Sequence, residues 1–372
     1  MQSKVPAQSA LNGLDDVVAA ETVLSGVDGP AGLLVIRGHL LDDLIVNSRY
    51  EDVVALLWAG LFDNAPDSAR ISEMLGAARA RVFEHLQTVD ARLLQLPPVD
   101  TVRSLLTRID EGDDLTTALA LVAAPAVFMP GVLRLRDGLD PLPPDPTLAH
   151  TADILRMLHG KSPRPEQILA LDRYLVTICD HGLNASTFTA RVVASTHAGL
   201  TSSVVAALSA LKGPLHGGAP GPVLDALDGI GSPQQAYAWL EDALARGDRL
   251  MGFGHRVYRV RDPRADAVKG ALQMLAQSGQ VDVTRLRLAE AVEKAALELL
   301  ARKKSSRPLQ TNVEFYTALL LEALGFPREA FTCVFAAGRA SGWIAHAREQ
   351  ILGGRLIRPQ SRYIGPQPSR AA

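Results

Sequence analysis

A chain of 372 residues that is 47% hydrophobic and 21% charged can bury a sizeable core, and its length accommodates two domains. Its formal net charge of −2 excludes a general electrostatic pull toward nucleic acid or anionic membranes, so any anion site has to be built locally from placed arginines. Cys179 and Cys333 form neither a disulfide framework nor a metal-binding spacing, which points to a reduced, cytoplasmic setting.

Residues 1–16 carry no basic segment followed by an apolar core, so no signal peptide is expected. Gly-rich and β-branched residues ending in Leu34-Val35-Ile36-Arg37-Gly38 predict a small hairpin near the start. Residues 50–58 place apolar side chains at helical spacing and stop at Gly60; residues 71–86 are Ala-rich and amphipathic. Pro98 and Asp100 mark another helix start. The run 115–133 is almost uncharged and long enough to suggest a membrane span, but Pro125 and Pro130 interrupt it. Two short buried helices with a break are expected there, and no membrane partner. Pro141, Pro143, Pro144 and Pro146 make residues 137–146 a surface loop rather than a linker, because similar helices resume beyond it. Residues 165–177 read as an amphipathic helix, and residues 186–211, nearly uncharged and rich in Ala and Ser, as a buried helix pair. With no internal repeat and no alternation long enough for a major sheet, the fold class is mainly α.

Four stretches carry chemistry. The first is Leu250-Met251-Gly252-Phe253-Gly254-His255-Arg256-Val257-Tyr258-Arg259, continued by Val260-Arg261-Asp262-Pro263-Arg264. Gly252 and Gly254 let the backbone around His255 approach a ligand closely, and the arginines supply forked donors suited to carboxylates or phosphates. The second, His181-Gly182-Leu183-Asn184-Ala185-Ser186, sets His181 and Asn184 at the mouth of the buried helix pair. In the third, Lys212-Gly213-Pro214-Leu215-His216-Gly217-Gly218-Ala219-Pro220, Gly213-Pro214 ends one helix and Pro220 opens the next. Free N–H groups at that helix start disfavour a second positive charge, so His216 is expected to be neutral and an N–H donor. These glycines form no dinucleotide or phosphate loop, since no strand precedes them and no Gly-Lys-Ser/Thr follows. The fourth, Thr311-Asn312-Val313-Glu314-Phe315-Tyr316, begins a helix closed by Gly325, with Glu314 in its first turn, where a carboxylate also suits the helix dipole. Further arginines follow in Gly338-Arg339-Ala340-Ser341-Gly342-Trp343-Ile344-Ala345-His346 and Arg355-Leu356-Ile357-Arg358-Pro359, before a Pro/Ser tail over 361–372.

Taken together and in this order, these stretches resemble the citrate synthase family along nearly the whole chain, and residues 13–21 are similar to the family's N-terminal segment. The resemblance implies an almost wholly helical homodimer whose two domains close over a cleft. A large domain, residues 1–219 and 321–372, would hold the dimer contacts and the oxaloacetate side; a small one, residues 220–320, would hold the CoA side. Catalytic roles are implied for His216, bonding the thioester oxygen, for His255, polarising the ketone, and for Glu314, the base. His181, Asn184, Arg264 and Arg339 are implied in oxaloacetate binding, with Arg358 reaching the other subunit's site. Leu250, Gly252, Gly254, Arg259 and Asn312 are implied on the CoA side. The CoA thioester is a substrate, and neither a metal nor a further cofactor is implied.

The implied reaction joins oxaloacetate to acetyl-CoA and hydrolyses citryl-CoA to citrate and CoA. A thioester methyl is a poor carbon acid, so a placed donor has to stabilise its oxygen as charge develops. Arginines neutralise the two carboxylates of the partner and fix its ketone face. Two departures from the family pattern stand out. Glu314 occupies the place of an Asp, and an uncorrected displacement on the ångström scale costs ~100-fold. Pro97-Pro98-Val99-Asp100 replaces a His-Pro-Met-Asp pattern, so a cleft-side contact is expected to differ. Propionyl-CoA, giving 2-methylcitrate, is the alternative substrate, since one methylene is worth only ~1–3 kcal/mol of discrimination. A paralogue that binds CoA and dicarboxylate but is catalytically weakened by Glu314 is the alternative of another class. The absence of the extra N-terminal domain of the larger NADH-regulated members favours a dimer over a hexamer.

Overall fold

The computed structural model describes residues 13–14, 17–63, 66–216, 220–279, 281–302 and 309–366. Asp15 and Asp16, the glycines of the third stretch (Gly217, Gly218) with Ala219, and the tail beyond residue 366 lie outside the described residues. The expected hairpin is a three-stranded antiparallel sheet: β1 (Ser25–Asp28), β2 (Leu33–Ile36) and β3 (His39–Leu40). Leu34 and Ile36 point into the core, and Arg37 and Gly38, both at positive φ (49° and 86°), make the two-residue turn into β3.

Among the described residues everything else of regular structure is helical. In chain order come α1 (Leu41–Asn47), α2 (Tyr50–Trp58), α3 (Ser68–Phe83), α4 (Pro98–Leu106), α5 (Leu115–Arg136), α6 (His150–His159), α7 (Pro165–Ile178) and α8 (Ala185–Ala194). There follow α9 (Leu200–Leu211), α10 (Pro220–Ile230), α11 (Ala236–Ala245), α12 (Pro263–Gln277), α13 (Val283–Arg302), α14 (Val313–Ala323) and α15 (Phe331–Gly353). Local signals place most of these boundaries. Pro98 and Pro165 are first helical residues, where a missing N–H is harmless. Asn312 caps α14, and Gly325 (φ 80°) follows its end.

The expected break inside residues 115–133 does not exist: α5 runs unbroken through Pro125 and Pro130. An interior proline costs ~3 kcal/mol, whereas burying one large apolar side chain contributes ~1.5–3 kcal/mol. The helix buries Leu119, Leu121, Val122, Val127, Phe128, Met129 and Val132 against α3, α4, α6, α9 and α15, so packing outweighs both prolines. It is long and apolar enough to cross a membrane by length and composition, and is mostly buried in the protein core.

Two long elements organise the interior. Around α5 pack α3, α4 and α6; around α15 pack α2, α7, α8 and α9. The buried pair expected over 186–211 is α8 and α9, separated by a bend in which His197 (φ 60°) and Gly199 (φ 97°) reverse the chain. On the other side of the cleft, α11 packs on α13, while α12 bridges α14 and α7.

Candidate active site

One wall of the cleft grows from helix ends. Beyond α7 the chain runs through Asp180 and His181 into Gly182, whose φ of 58° turns it toward α8. His181 is buried, and its Nε2 lies 3.1 Å from the Tyr258 hydroxyl, a residue of the opposite wall. Asn184 lines the cleft, but its amide is engaged in capping α8: Oδ1 accepts from the Thr187 N–H at 3.1 Å, and Nδ2 donates to Gly182 O at 3.2 Å and to Thr187 Oγ1 at 2.9 Å. Arg339 on α15 is buried, donates from Nε to Ile178 O and lies over the Phe335 ring at 4.9 Å. Burial and the nearby Arg264 lower its pKa to about 10, against the opposing pull of Asp180.

His216 follows α9, with its Nε2 2.8 Å from Ser186 Oγ and 3.4 Å from the Ser186 N–H. Burial, with Arg339 and Arg264 nearby, brings its pKa down to about 4. Its neutrality was expected from the start of the helix that follows; the causes here are burial and the two arginines, and the helix start it meets is that of α8.

The facing wall is a pair of crossing loops. A bridge between Phe253 and Thr311 joins them, with Gly254 N–H donating to Gln310 O at 2.7 Å and Asn312 N–H to Gly252 O at 3.0 Å. The Asn312 side chain adds a bond to Gly254 O at 2.9 Å. A side chain at Gly252 would sit 2.9 Å from the Phe315 Cβ, and its φ of 85° requires glycine in any case. The Gly254 carbonyl leads into His255, whose Nδ1 accepts the N–H groups of Val257 and Tyr258, each at 3.1 Å. That leaves the ring proton on Nε2, and Nε2 lies 3.1 Å from Arg264 Nη2. Two donors therefore converge on one spot of the cleft, where an acceptor oxygen fits. Burial and Arg264 hold the His255 pKa at about 4.

Arg264 is buried and held in place by Asp262, with Nε to Oδ1 at 3.0 Å and Nη2 to Oδ2 at 2.8 Å. Asp262 also accepts the Val313 N–H at 3.2 Å and so ties α12 to the start of α14. Glu314 opens into the cleft from the first turn of α14, its N–H bonded to Asn312 Oδ1 at 3.0 Å. Burial raises its carboxyl to about 7, with Arg264 and Arg249 restraining the shift.

His181, Asn184, His216, Gly254, His255, Arg259, Arg264, Asn312, Glu314 and Arg339 thus line one cleft. Its volume of about 1380 Å³ exceeds the ~300–1,000 Å³ of ordinary small-molecule sites, enough for two ligands side by side. Leu250 lines an adjoining cavity, and Gly252 lies behind the loop. Arg358 is exposed beyond α15 and does not line this cleft. Nor does the segment 97–100: Asp100 pairs with Lys212 at 2.6 Å and Arg103 at 3.0 Å. Sequence reasoning assigned no role to Tyr258, Asp262 or Ser186, which orient His181, Arg264 and His216. All three lay inside the quoted stretches; what was missing was the long-range distance for Tyr258 and Ser186, and the side-chain geometry for Asp262, two residues before Arg264.

A family model described as citrate synthase, C-terminal domain, matches residues 13–360. This chain belongs to the citrate synthase family. A citrate synthase of Acidithiobacillus ferridurans is 34% identical over 374 residues, covering 96% of each chain. One of Haloferax volcanii is 36% identical over 369 residues, covering 95% of each. Among solved structures, citrate synthase from Thermotoga maritima superposes with a TM-score of 0.83 at 32% identity, covering 96% of this chain and 97% of that one. The citrate synthase of Thermoplasma acidophilum, solved as a ternary complex with carboxymethyl coenzyme A and oxaloacetate, gives a TM-score of 0.85 at 26% identity, covering 98% and 99%. Membership in the citrate synthase family makes this chain an enzyme of that type, a transferase.

Proposed function

We propose that the chain condenses oxaloacetate with acetyl-CoA and hydrolyses the resulting citryl-CoA to citrate and CoA. The observation that carries this reading is the convergence of neutral imidazoles, buried guanidiniums and a carboxyl raised to about 7 in a single cleft. Glu314 as carboxylate removes a proton from the thioester methyl. His216 donates a hydrogen bond to the thioester oxygen as charge develops there. For Nδ1 of His216 to be that donor, Nε2 has to accept, and the Ser186 N–H faces it at 3.4 Å, while the Ser186 hydroxyl donates to Asn184 Oδ1 at 2.8 Å. The new carbanionic carbon attacks the ketone carbon, whose oxygen sits where His255 and Arg264 converge. Water then cleaves the thioester, releasing the thiol and the new carboxylate.

Oxaloacetate's carboxylates suit Arg264 and Arg339, with His181 beside them. Arg259, exposed at the cleft edge, suits a CoA phosphate, and the loops bearing Gly252, Gly254 and Asn312 form the CoA side with Leu250. In this reading residues 220–320 form the small domain, and residues 1–219 with 321–372 the large one. The chain works as a homodimer in which Arg358 completes the partner's site. Supporting this, Arg358 is exposed on an extended segment tethered by Ile357 N–H to Ser195 Oγ (3.0 Å), among the exposed apolar residues Leu352, Leu356, Tyr363 and Ile364. A cytoplasmic setting agrees with Cys179 and Cys333 as buried free thiols. Thiol release in the presence of oxaloacetate tests the reading, with acetyl-CoA and propionyl-CoA compared. Faster turnover of acetyl-CoA supports a citrate synthase, the reverse ranking makes it a 2-methylcitrate synthase, and no release from either thioester sinks the condensation.

A further inference from the structure

Directly behind the cleft lies a buried set of ionisable groups that no step above uses. Asp180, preceding His181, and His346 on α15 are both 0% exposed, and neither lines the cleft. His346 Nδ1 lies 3.1 Å from Arg191 Nη1, and His346 Nε2 lies 3.2 Å from Asp180 Oδ2. Arginine only donates, so Nδ1 accepts and Nε2 carries the proton offered to Asp180. Asp180 Oδ2 also accepts from Ser25 Oγ at 2.5 Å, and the same hydroxyl oxygen accepts the Gly182 N–H at 3.0 Å. One hydroxyl of β1 thereby links the Asp180 carboxylate to the turn that presents His181.

The pair is anchored on its far side as well. Arg191 donates to Gln350 Oε1 at 3.0 Å and to Glu349 Oε2 at 2.5 Å, while Glu349 Oε1 accepts from Thr22 Oγ1 and the Val23 N–H. Gly342 leaves the carboxylate no slack: a Cβ there would meet Cys179 O at 2.2 Å and Asp180 Oδ1 at 3.2 Å. Burial alone would favour the neutral acid, yet His346, Ser25 and Arg339 keep Asp180 below the ordinary carboxylate range.

We propose that Asp180 and His346 are a buried positioning pair for the dicarboxylate half of the site. His346 orients Asp180, and Asp180 sets the turn at His181 and Gly182 through Ser25. This rests on the condensation proposed above, and both residues act through the turn at His181 rather than on substrate.

The test is steady-state kinetics of Asp180→Asn, His346→Leu, His346→Gln and Ser25→Ala, with KM measured separately for oxaloacetate and for the thioester. Loss of a charge-assisted bond predicts an oxaloacetate KM raised about tenfold or more in Asp180→Asn and several-fold in His346→Leu and Ser25→Ala, with the thioester KM within about twofold. His346→Gln, whose amide N–H can reach Asp180, recovers most of what His346→Leu loses. A folded Asp180→Asn or Ser25→Ala protein with an unchanged oxaloacetate KM overturns the proposal. A parallel rise of both KM values overturns it too, since general loosening of the structure does that. If Asp180→Asn fails to fold, His346→Leu and its recovery in His346→Gln decide, since Ser25 itself lines the cleft. Absence of turnover in the unmodified chain would sink the condensation instead; amide exchange at Gly182, slow in the unmodified chain and fast in Ser25→Ala, then decides the positioning role, and equal exchange overturns it.

Discussion

The two walls of the cleft solve one electrostatic problem in different ways. The wall made by the end of α7, the start of α8 and α15 buries its charges outright: Asp180, His346 and Arg339 are 0–1% exposed. Each such group is costly unless paired: His346 joins Asp180 Oδ2 to Arg191 and Arg339 donates to Ile178 O, while Asp180 Oδ1 is left without a partner among the described residues. The facing wall is irregular backbone over residues 250–262 and 309–312, running into the first turns of α12 and α14; a bridge and bonds of Gly254 and Asn312 join its two segments, Gly252 and Gly254 are at positive φ, and Arg259 is exposed. Only Arg264 with Asp262 repeats the buried pairing there. The loop segments are held by individual bonds of their own backbone and side chains, whereas the helix wall is part of the packed core. In the proposed reaction each substrate meets both walls: the dicarboxylate meets His181 and Arg339 on the helix wall and His255 and Arg264 on the loop wall, and the thioester meets His216 on the helix side and Glu314 on the loop side.

The strongest way to break this arrangement is to remove the groups through which the walls meet. Glu314→Gln deletes the base supplied by the loop wall and is expected to lower kcat by ~100–10,000-fold, read as thiol release. His216→Ala removes the donor on the helix side and is expected to cost ~100–1,000-fold. A variant of either residue that retains full turnover removes it from the mechanism.

Two glycines sharpen the contrast at smaller scale. Gly342→Ala places a Cβ 2.2 Å from the Cys179 carbonyl, and overpacking of this kind costs ~1–3 kcal/mol. Gly252→Ala strains a φ of 85° against the Phe315 side chain at 2.9 Å, also ~1–3 kcal/mol. The rigid wall has to spread its strain through the core, so Gly342→Ala should lower the melting temperature more. The loop wall can yield locally, so Gly252→Ala should mainly raise the thioester KM. The reverse ranking in thermal melts would show that the loop wall is the rigid one.

How much of this was legible in the sequence follows from the range of each signal. Prolines at helix starts, Asn312 before α14 and Gly325 after it act within one turn, and they placed those helices correctly. Pro125 and Pro130 are equally local signals, but the fate of α5 was decided by five packed helices that no local pattern reveals. At the site, the resemblance carried by residue types and order named ten residues that line the cleft, together with Leu250, Gly252 and Arg358, which do not. Their protonation states did not follow. The ring proton of His255 is set by the N–H groups of Val257 and Tyr258, and the surroundings of His181 by Tyr258, 77 residues away in the chain. For His216 the expectation rested on the helix start that follows it; burial, Arg339 and Arg264 lower its pKa, and the helix start it meets is that of α8.

The smallest expected effect separates the walls by pH. His216 and His255 are held at about 4, and His181 well below its usual value, by burial first and then by arginines. Above about 6.5 these imidazoles are neutral in both folded and unfolded chains, so their contribution to stability is fully present there. As pH falls from about 6.5 toward 4 the unfolded chain takes up protons that the folded one does not, and stability is lost. Glu314 has the opposite sign. With its carboxyl raised from 4.5 to about 7, the folded chain holds a proton through that window while the unfolded chain has released it, so its contribution fades as pH rises. Asp172, raised to about 7 by burial and by Glu51, behaves likewise but is common to both proteins compared. Glu314→Gln therefore removes one opposing slope, and its melting temperature should fall more steeply than that of the unmodified chain between about pH 7 and 5. In turnover, the unmodified chain should show an acid limb rising through about pH 7, where Glu314 becomes the carboxylate that a base has to be. Parallel melting curves, together with an acid limb near the ordinary carboxylate range, would place Glu314 in water rather than in the closed joint between the walls.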